Sequence, residues 1–290
     1  MKYLFIGAVF CLGLTLRAEL LKNPDPNTLW IENGKNIRTD AKNGFNNAWY
    51  SNPSDPKCAK IESMPDGNGF SLSVPSGKLG QTYLAVPASP DYPYLTFRIS
   101  AIEYFPGYRG WTCQISRTGF SVGQTSSPKP GIFTFNVYEN APENSSKGFN
   151  YIRIYNNGMK TVFSGIKMVK KPDYYVEAQS DAFKNKKSFT VGDKVKFIVY
   201  LKEEAEDVSI RLVSEGTPNV IKINKADKIQ LKPIDESQKI WEAEVEIKEL
   251  HGAKSKRNAI LMQAVVLGGE LEVPIWGAIA YPFIIPGAAK

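Results

Sequence analysis

The 290-residue sequence predicts an all-β protein: two tandem β-sandwich domains behind a signal peptide. Three observations lead there. Apolar and polar residues alternate with period two through most of the chain, apolar patterns of helical length are nearly absent, and the alternating series breaks once, at "VKKPDYY", before resuming.

The N-terminus reads "MKYLFIGAVFCLGLTLRAEL": Lys2, an apolar run from Tyr3 to Leu16, then Arg17 and Ala18 before the first acid, Glu19. That run is too short to span a bilayer with margin and charge follows it at once, so residues 1–18 read as a secretory signal peptide. Cys11 follows Phe10 rather than a small residue, which argues against lipid attachment. The mature chain is therefore expected to be secreted, periplasmic or on the cell surface. No transmembrane segment is expected further on, because "AILMQAVVLGG" ends at Glu270 and "IWGAIAYPFII" is broken by Pro282. Processing leaves 272 residues, a length that suits two domains, and lowers the net charge from +7 to +5 by removing Lys2 and Arg17. The remaining excess is spread along the chain with no run of five basic residues, so a nucleic-acid partner is not indicated.

In "YLTFRISAIEY", Leu95, Phe97, Ile99 and Ala101 share one face, and Thr96, Arg98 and Ser100 the other. Trp111, Cys113 and Ile115 alternate with Thr112 and Gln114, and Phe133, Phe135 and Val137 alternate with Thr134, Asn136 and Tyr138. In "NYIRIYNNG", Ile152 and Ile154 stand against Tyr151, Arg153 and Tyr155, and "NNG" turns the chain into "TVFSGIKMV". These patterns fit half-buried strands of a sandwich, with the polar sets facing solvent. After Lys170, Lys171 and Pro172, the second series carries Val195, Phe197, Val199 and Leu201, then Val208, Ile210 and Leu212, then Trp241, Ala243, Val245 and Ile247 on inward faces. About seven strands in some 110 residues match an immunoglobulin-like sandwich. The inter-sheet cysteine pair of that fold is missing, so a fibronectin-type-III-like or bacterial immunoglobulin-like module fits residues 173–290 better.

Cys58 and Cys113 are the cysteines that remain after processing, and in an oxidising compartment they stand either bridged or as two buried thiols. The bridge is the expectation; closing a loop of about 55 residues would stabilise the fold by roughly 4 kcal/mol in the chain-entropy model. His251, the only histidine, sits in "KELHGAKSKRN", which reads as an exposed loop without a nucleophile motif nearby. Glycoside hydrolysis needs two opposed carboxylates about 5–10 Å apart. Glu103, Glu242, Glu244 and Glu246 read as surface charges, and a non-enzyme is expected.

The opening of the mature chain, "ELLKNPDPNTLW", resembles the first strand of the galactose-binding-like jelly rolls that serve as carbohydrate-binding modules in bacterial polysaccharide-degrading systems. The likeness lies in an aliphatic pair, a polar residue, Asn and a short loop leading to Trp: Leu20, Leu21, Lys22, Asn23 and Trp30. "TVFSGIKMVKKPD" is similar to their last strand, which returns beside the first. The resemblance implies a jelly roll over residues 19–172. It also implies a structural calcium held by an acid in the last strand, but Ser164 and Gly165 stand there and Asp25 alone cannot supply about six to eight oxygens, so no cofactor is carried over.

Sugar recognition needs ring faces for C–H surfaces and planar amide or guanidinium groups for hydroxyls. Arg98, Gln114, Asn136, Tyr151, Arg153 and Tyr155 supply that mix from the polar strand faces, and the two arginines favour an anionic glycan. Trp49 and Tyr50, in "NNAWYSNP", form a second candidate. In "EYFPGYRGWTC", Trp111 is expected in the core, while Tyr108, at the tip of a Pro-Gly turn, is a further ligand-binding candidate. The first functional expectation is therefore a secreted, non-catalytic carbohydrate-binding protein. The alternative is a structural or protein-interaction component of the envelope that docks other envelope proteins.

Overall fold

A computed structural model describes residues 25–32, 50–51, 59–87, 89–115, 120–124, 128–137, 149–184, 191–214, 220–251, 260–269, 271 and 273–279. The proposed signal peptide, Trp49 and Cys58 lie outside the described residues. Up to the break at residue 172 the strands are β1 (Thr28–Glu32), β2 (Tyr50–Ser51), β3 (Lys60–Ser63), β4 (Phe70–Ser73), β5 (Leu79–Pro87), β6 (Tyr94–Tyr104), β7 (Gly110–Ile115), β8 (Phe120–Gln124), β9 (Gly131–Asn136), β10 (Phe149–Asn157) and β11 (Met159–Val169). Beyond it come β12 (Tyr175–Gln179), β13 (Lys194–Tyr200), β14 (Asp207–Ser214), β15 (Val220–Ile223), β16 (Ile229–Gln230), β17 (Lys232–Pro233), β18 (Ile240–Glu246), β19 (Leu250–His251), β20 (Ile260–Leu267) and β21 (Ile275–Ile279). One helical turn, Asp181–Lys184, interrupts them. The described residues are nearly all β, as period-two alternation predicts.

The strands form three sheets. A five-stranded sheet has the order β2-β5-β10-β7-β8, and a four-stranded sheet the order β12-β13-β18-β17. The third has the order β3-β4-β11-β6-β9-β21-β20-β14-β15-β19, with β1 added to β11 and β16 to β14. β1 runs antiparallel to β11, so the last strand of the first half does return beside the first.

Most inward faces are those the alternation marks, but Ala101, expected inward with Leu95, Phe97 and Ile99, is exposed, because the register with β11 shifts between Ile99 and Ala101. Leu95, Phe97 and Ile99 from β6 meet Trp111 and Cys113 from β7 and Ile152 and Ile154 from β10 in one core. Val195, Phe197 and Val199 from β13 and Trp241 from β18 pack with Val208, Ile210 and Leu212 of β14 in the other. Each large apolar side chain so buried contributes on the order of 2 kcal/mol.

The sheets do not respect the expected division at 172/173. β21 pairs parallel with β9, Ile275 opposite Ile132 and Trp276 opposite Phe133, so one sheet runs through both halves. Leu261 and Trp276, from the second half, belong to the first core. This seam also overturns the solvated setting expected for the polar face of β9. Thr134 is fully buried; its hydroxyl donates to the Tyr174 carbonyl at 2.9 Å and meets the Thr96 hydroxyl at 3.1 Å.

Cys113 is a free, fully buried thiol in the first core, on β7 between β8 and β10; Cys58, its expected partner, lies outside the described residues. One further local expectation is corrected. His251 lies on strand β19 opposite Lys222, not in a loop, and its exposed ring is 3.1 Å from Glu249 Oε2.

Candidate functional site

The six polar-face residues do not share a surface. Arg98 and Asn136 lie on β6 and β9 of the long sheet; Gln114, Tyr151, Arg153 and Tyr155 lie on β7 and β10 of the five-stranded sheet. Alternation correctly sets Arg98 and Tyr155 against the buried residues of their own strands. It carries no information on which sheet the strand joins.

What remains together is denser than expected. Register sets Tyr50, Tyr83, Arg153, Gln114 and Ser121 in one row across β2, β5, β10, β7 and β8. Tyr151 and Tyr155 stand two positions to either side of Arg153 along β10, opposite Ala85 and Gln81 of β5. Ile152 and Ile154, between them, are buried in the core, so the row occupies the other face of the sheet. On that face Tyr155 and Thr112, register partners, are half-buried. Tyr83 was missed by the sequence reading, which did not follow "GQTYLAVP" as a strand although it alternates.

The register also explains why the row holds. β10 is hydrogen-bonded along its length to β5 on one side and to β7 on the other, so its outward residues are carried by a central strand rather than a loop. Neighbouring strands lie about 4.8 Å apart, which spreads the four positions from Tyr50 to Gln114 over roughly 14 Å. Side-chain types across that span are two phenols, a guanidinium and an amide. They can cover C–H faces and donate to hydroxyl or carboxylate oxygens.

The corner at "EYFPGYRGWTC" is built as expected. β6 ends at Tyr104, β7 starts at Gly110, and Gly107 takes a left-handed φ of 75° in the turn between them. Trp111 is 1% exposed, whereas Tyr104 and Tyr108 are 44% and 36% exposed, with ring centroids 4.6 Å apart. Tyr104 donates to the Pro128 carbonyl, and burial pushes its phenol above the ordinary tyrosine range. Tyr108 is outside the register row of Arg153 but lies beside the end of β10, where the Arg109 N–H donates to the Asn157 carbonyl at 3.0 Å.

Two of the carboxylates read as surface charges are ion-paired. Glu242 pairs with Lys196 at 2.5 Å and Glu244 with Lys194 at 3.8 Å across β18 and β13, while Glu103 is exposed on β6. Asp25 accepts from the Asn27 backbone N–H at 2.9 Å and the Thr28 hydroxyl at 2.7 Å, and these bonds hold its carboxyl below the ordinary range. Among the described residues, no three His, Cys, Asp or Glu side chains gather as metal ligands. None of their helices is long and apolar enough to cross a membrane.

No family model matches the chain, and no curated protein matches it. Among solved structures, it is similar to a glycoside hydrolase domain, Endo-D, from Streptococcus pneumoniae, with 7% identity and a TM-score of 0.30 over 81% of this chain and 37% of that one. It is also similar to a DUF4785 family protein from Legionella pneumophila, with 11% identity and a TM-score of 0.25 over 88% of this chain and 69% of that one. A putative β-galactosidase from Bacteroides fragilis gives 10% identity and a TM-score of 0.21 over 72% of this chain and 34% of that one. The chain spans little more than a third of the first of these, and at such TM-scores the likenesses carry no argument about function.

Proposed function

We propose that this is an exported, non-catalytic carbohydrate-binding protein that holds a glycan on the outer face of its five-stranded sheet. The observation that carries the reading is the register row Tyr50–Tyr83–Arg153–Gln114, flanked along β10 by Tyr151 and Tyr155. Aromatic rings cover the C–H faces of sugars, and guanidinium and amide groups pair with their hydroxyls and carboxylates. A sheet supplies these groups on rigid elements, which lowers the ordering cost of binding. The jelly-roll reading of residues 19–172 and the immunoglobulin-like reading of residues 173–290 belong to this proposal; the return of β11 beside β1 supports the first of them.

A glycan array probed with the mature protein, followed by calorimetry on the best ligand, tests it. Tyr155→Ala and Arg153→Ala should each weaken binding by about 1 kcal/mol or more, roughly fivefold, with melting unchanged. The bound glycan should be recovered intact, with no new reducing ends. Wild-type affinity in both variants would remove the site, and product formation would remove the non-catalytic reading.

A further inference from the structure

The long sheet carries a feature outside the proposed glycan face. Between the register pairs Phe163↔Ile99 and Ile166↔Phe97, β6 has one residue, Arg98, and β11 has two, Ser164 and Gly165. This is a β-bulge, with Gly165 at the positive φ of 96° that such an irregularity favours for glycine. On its β11 side Arg98 therefore faces only Ser164 and Gly165, and a recess of about 320 Å³ opens there, with Ile132, the partner of Arg98 on β9, also lining it. Arg98 and Lys167 line it from the sheet, and the strap between β11 and β12 closes its far side with Lys171, Asp173 and Tyr174.

A second recess, of about 480 Å³, lies on the other side of the same strap. Both are lined by Asn27, Lys171, Pro172 and Asp173, so the strap is a ridge between two basins. Lys202 and Lys239, from the second half, line the second basin together with Tyr200. The ridge is pinned. Asn27 Nδ2 donates to the Lys171 carbonyl at 2.7 Å, and Asn27 Oδ1 accepts from the Lys171 N–H at 2.9 Å.

Five cations thus follow one another from the first half to the second: Arg98, Lys167, Lys171, Lys202 and Lys239. The acids among the lining residues are Asp25 and Asp173, and Asp25 is already engaged by Thr28 and Asn27. Five cations against two acids give the two basins a positive excess that favours an anionic ligand. Ser164 and Tyr200 add hydroxyls to the two basins, suited to a polyol.

We propose that this seam is a second binding site, for a linear saccharide bearing several carboxylate or sulfate groups, which lies across the ridge and touches both halves at once. The second half would then complete a site rather than act as a spacer. The inference rests on the seam alone and is independent of the five-stranded face.

Calorimetry with the mature protein tests it, using galacturonate oligomers from dimer to hexamer, sulfated oligosaccharides of matched length and oligoglutamate as probes. Affinity for one of the two sugar series should rise by about tenfold or more from dimer to hexamer, as the second basin becomes occupied, and should fall with added salt. Arg98→Ala and the double variant Lys202→Ala/Lys239→Ala should each weaken hexamer binding about tenfold, with melting unchanged because these side chains are exposed. Tyr155→Ala should leave it unaltered. The relative response to carboxylated and sulfated probes identifies the anionic group. Equal affinity for oligoglutamate would overturn the saccharide class, and loss with Arg98→Ala alone would overturn the spanning mode. Indifference to both seam variants, or binding of neither sugar series, would overturn the site altogether. Loss with Tyr155→Ala but not with the seam variants would place the ligand on the five-stranded face instead.

Discussion

The indole of Trp276 lies parallel to the ring of Phe133, with 5.8 Å between centroids and 4° between planes. Trp276 belongs to β21 and Phe133 to β9, and they are register partners in the parallel pair that joins the two halves. Unfolding should therefore follow a single transition by Trp fluorescence and by circular dichroism. Trp276→Ala should cost about 3–5 kcal/mol and split it into two. Coincident transitions in that variant would mean that the backbone pairing joins the halves without the ring stack.

Gly131 sits under the same indole. A Cβ there would fall 2.5 Å from both Cδ1 and Nε1 of Trp276 and 2.7 Å from the Pro274 carbonyl oxygen. Gly131→Ala should destabilise the protein by about 1–3 kcal/mol in urea denaturation, through overpacking. A neutral result would show that the seam can open at little cost.

Trp111 packs edge-on against Phe133 at 5.0 Å and Phe97 at 6.1 Å, and its buried Nε1–H has no hydrogen-bond partner among the described residues. Trp111→Ala should cost about 3–5 kcal/mol. Trp111→Phe should cost clearly less, since it keeps an edge-on ring and removes an unpaired donor. The reverse order in urea denaturation would reveal a hydrogen bond to buried water.

Burial pushes the Cys113 thiol up to about 12, from an ordinary value of 9.0. A raised folded-state value favours the protonated thiol in the native protein. Its contribution to stability is therefore complete below pH 9 and is lost progressively as pH climbs towards 12. Cys113 should resist thiol reagents at pH 8 until the chain unfolds, and the non-reduced protein should show no mass deficit from a Cys58–Cys113 bridge. Rapid native labelling would contradict the burial.

The Asp25 turn and the Asn27 clasp predict acid behaviour. A depressed carboxylate contributes stability above its unfolded value and loses it as pH falls through the folded one. In a carboxyl NMR titration Asp25 should therefore have a midpoint below 3.8. Asn27→Ala, which removes both bonds to Lys171, should cost about 1 kcal/mol and loosen the strap. An Asp25 midpoint at or above 3.8 would rule out the turn as drawn.

The sequence by itself determined the strand class, the inward phase and the corner. Leu95, Phe97 and Ile99, Trp111 and Cys113, and Val195, Phe197 and Val199 are buried where alternation puts them, because side-chain period along a strand is a local property of the pleat. Proline and glycine in "FPGYRG" likewise marked the turn between β6 and β7 through local φ preferences. Only the tertiary structure decided the partners. Arg98 and Arg153 have the same phase but lie on different sheets, and Thr134, polar in pattern, is sealed under Tyr174. The parallel pairing of β9 with β21 joins segments more than a hundred residues apart, and the bulge at Ser164–Gly165 exists only relative to β6. Pairing and register depend on which edges long loops bring together, and a period of two is silent about that.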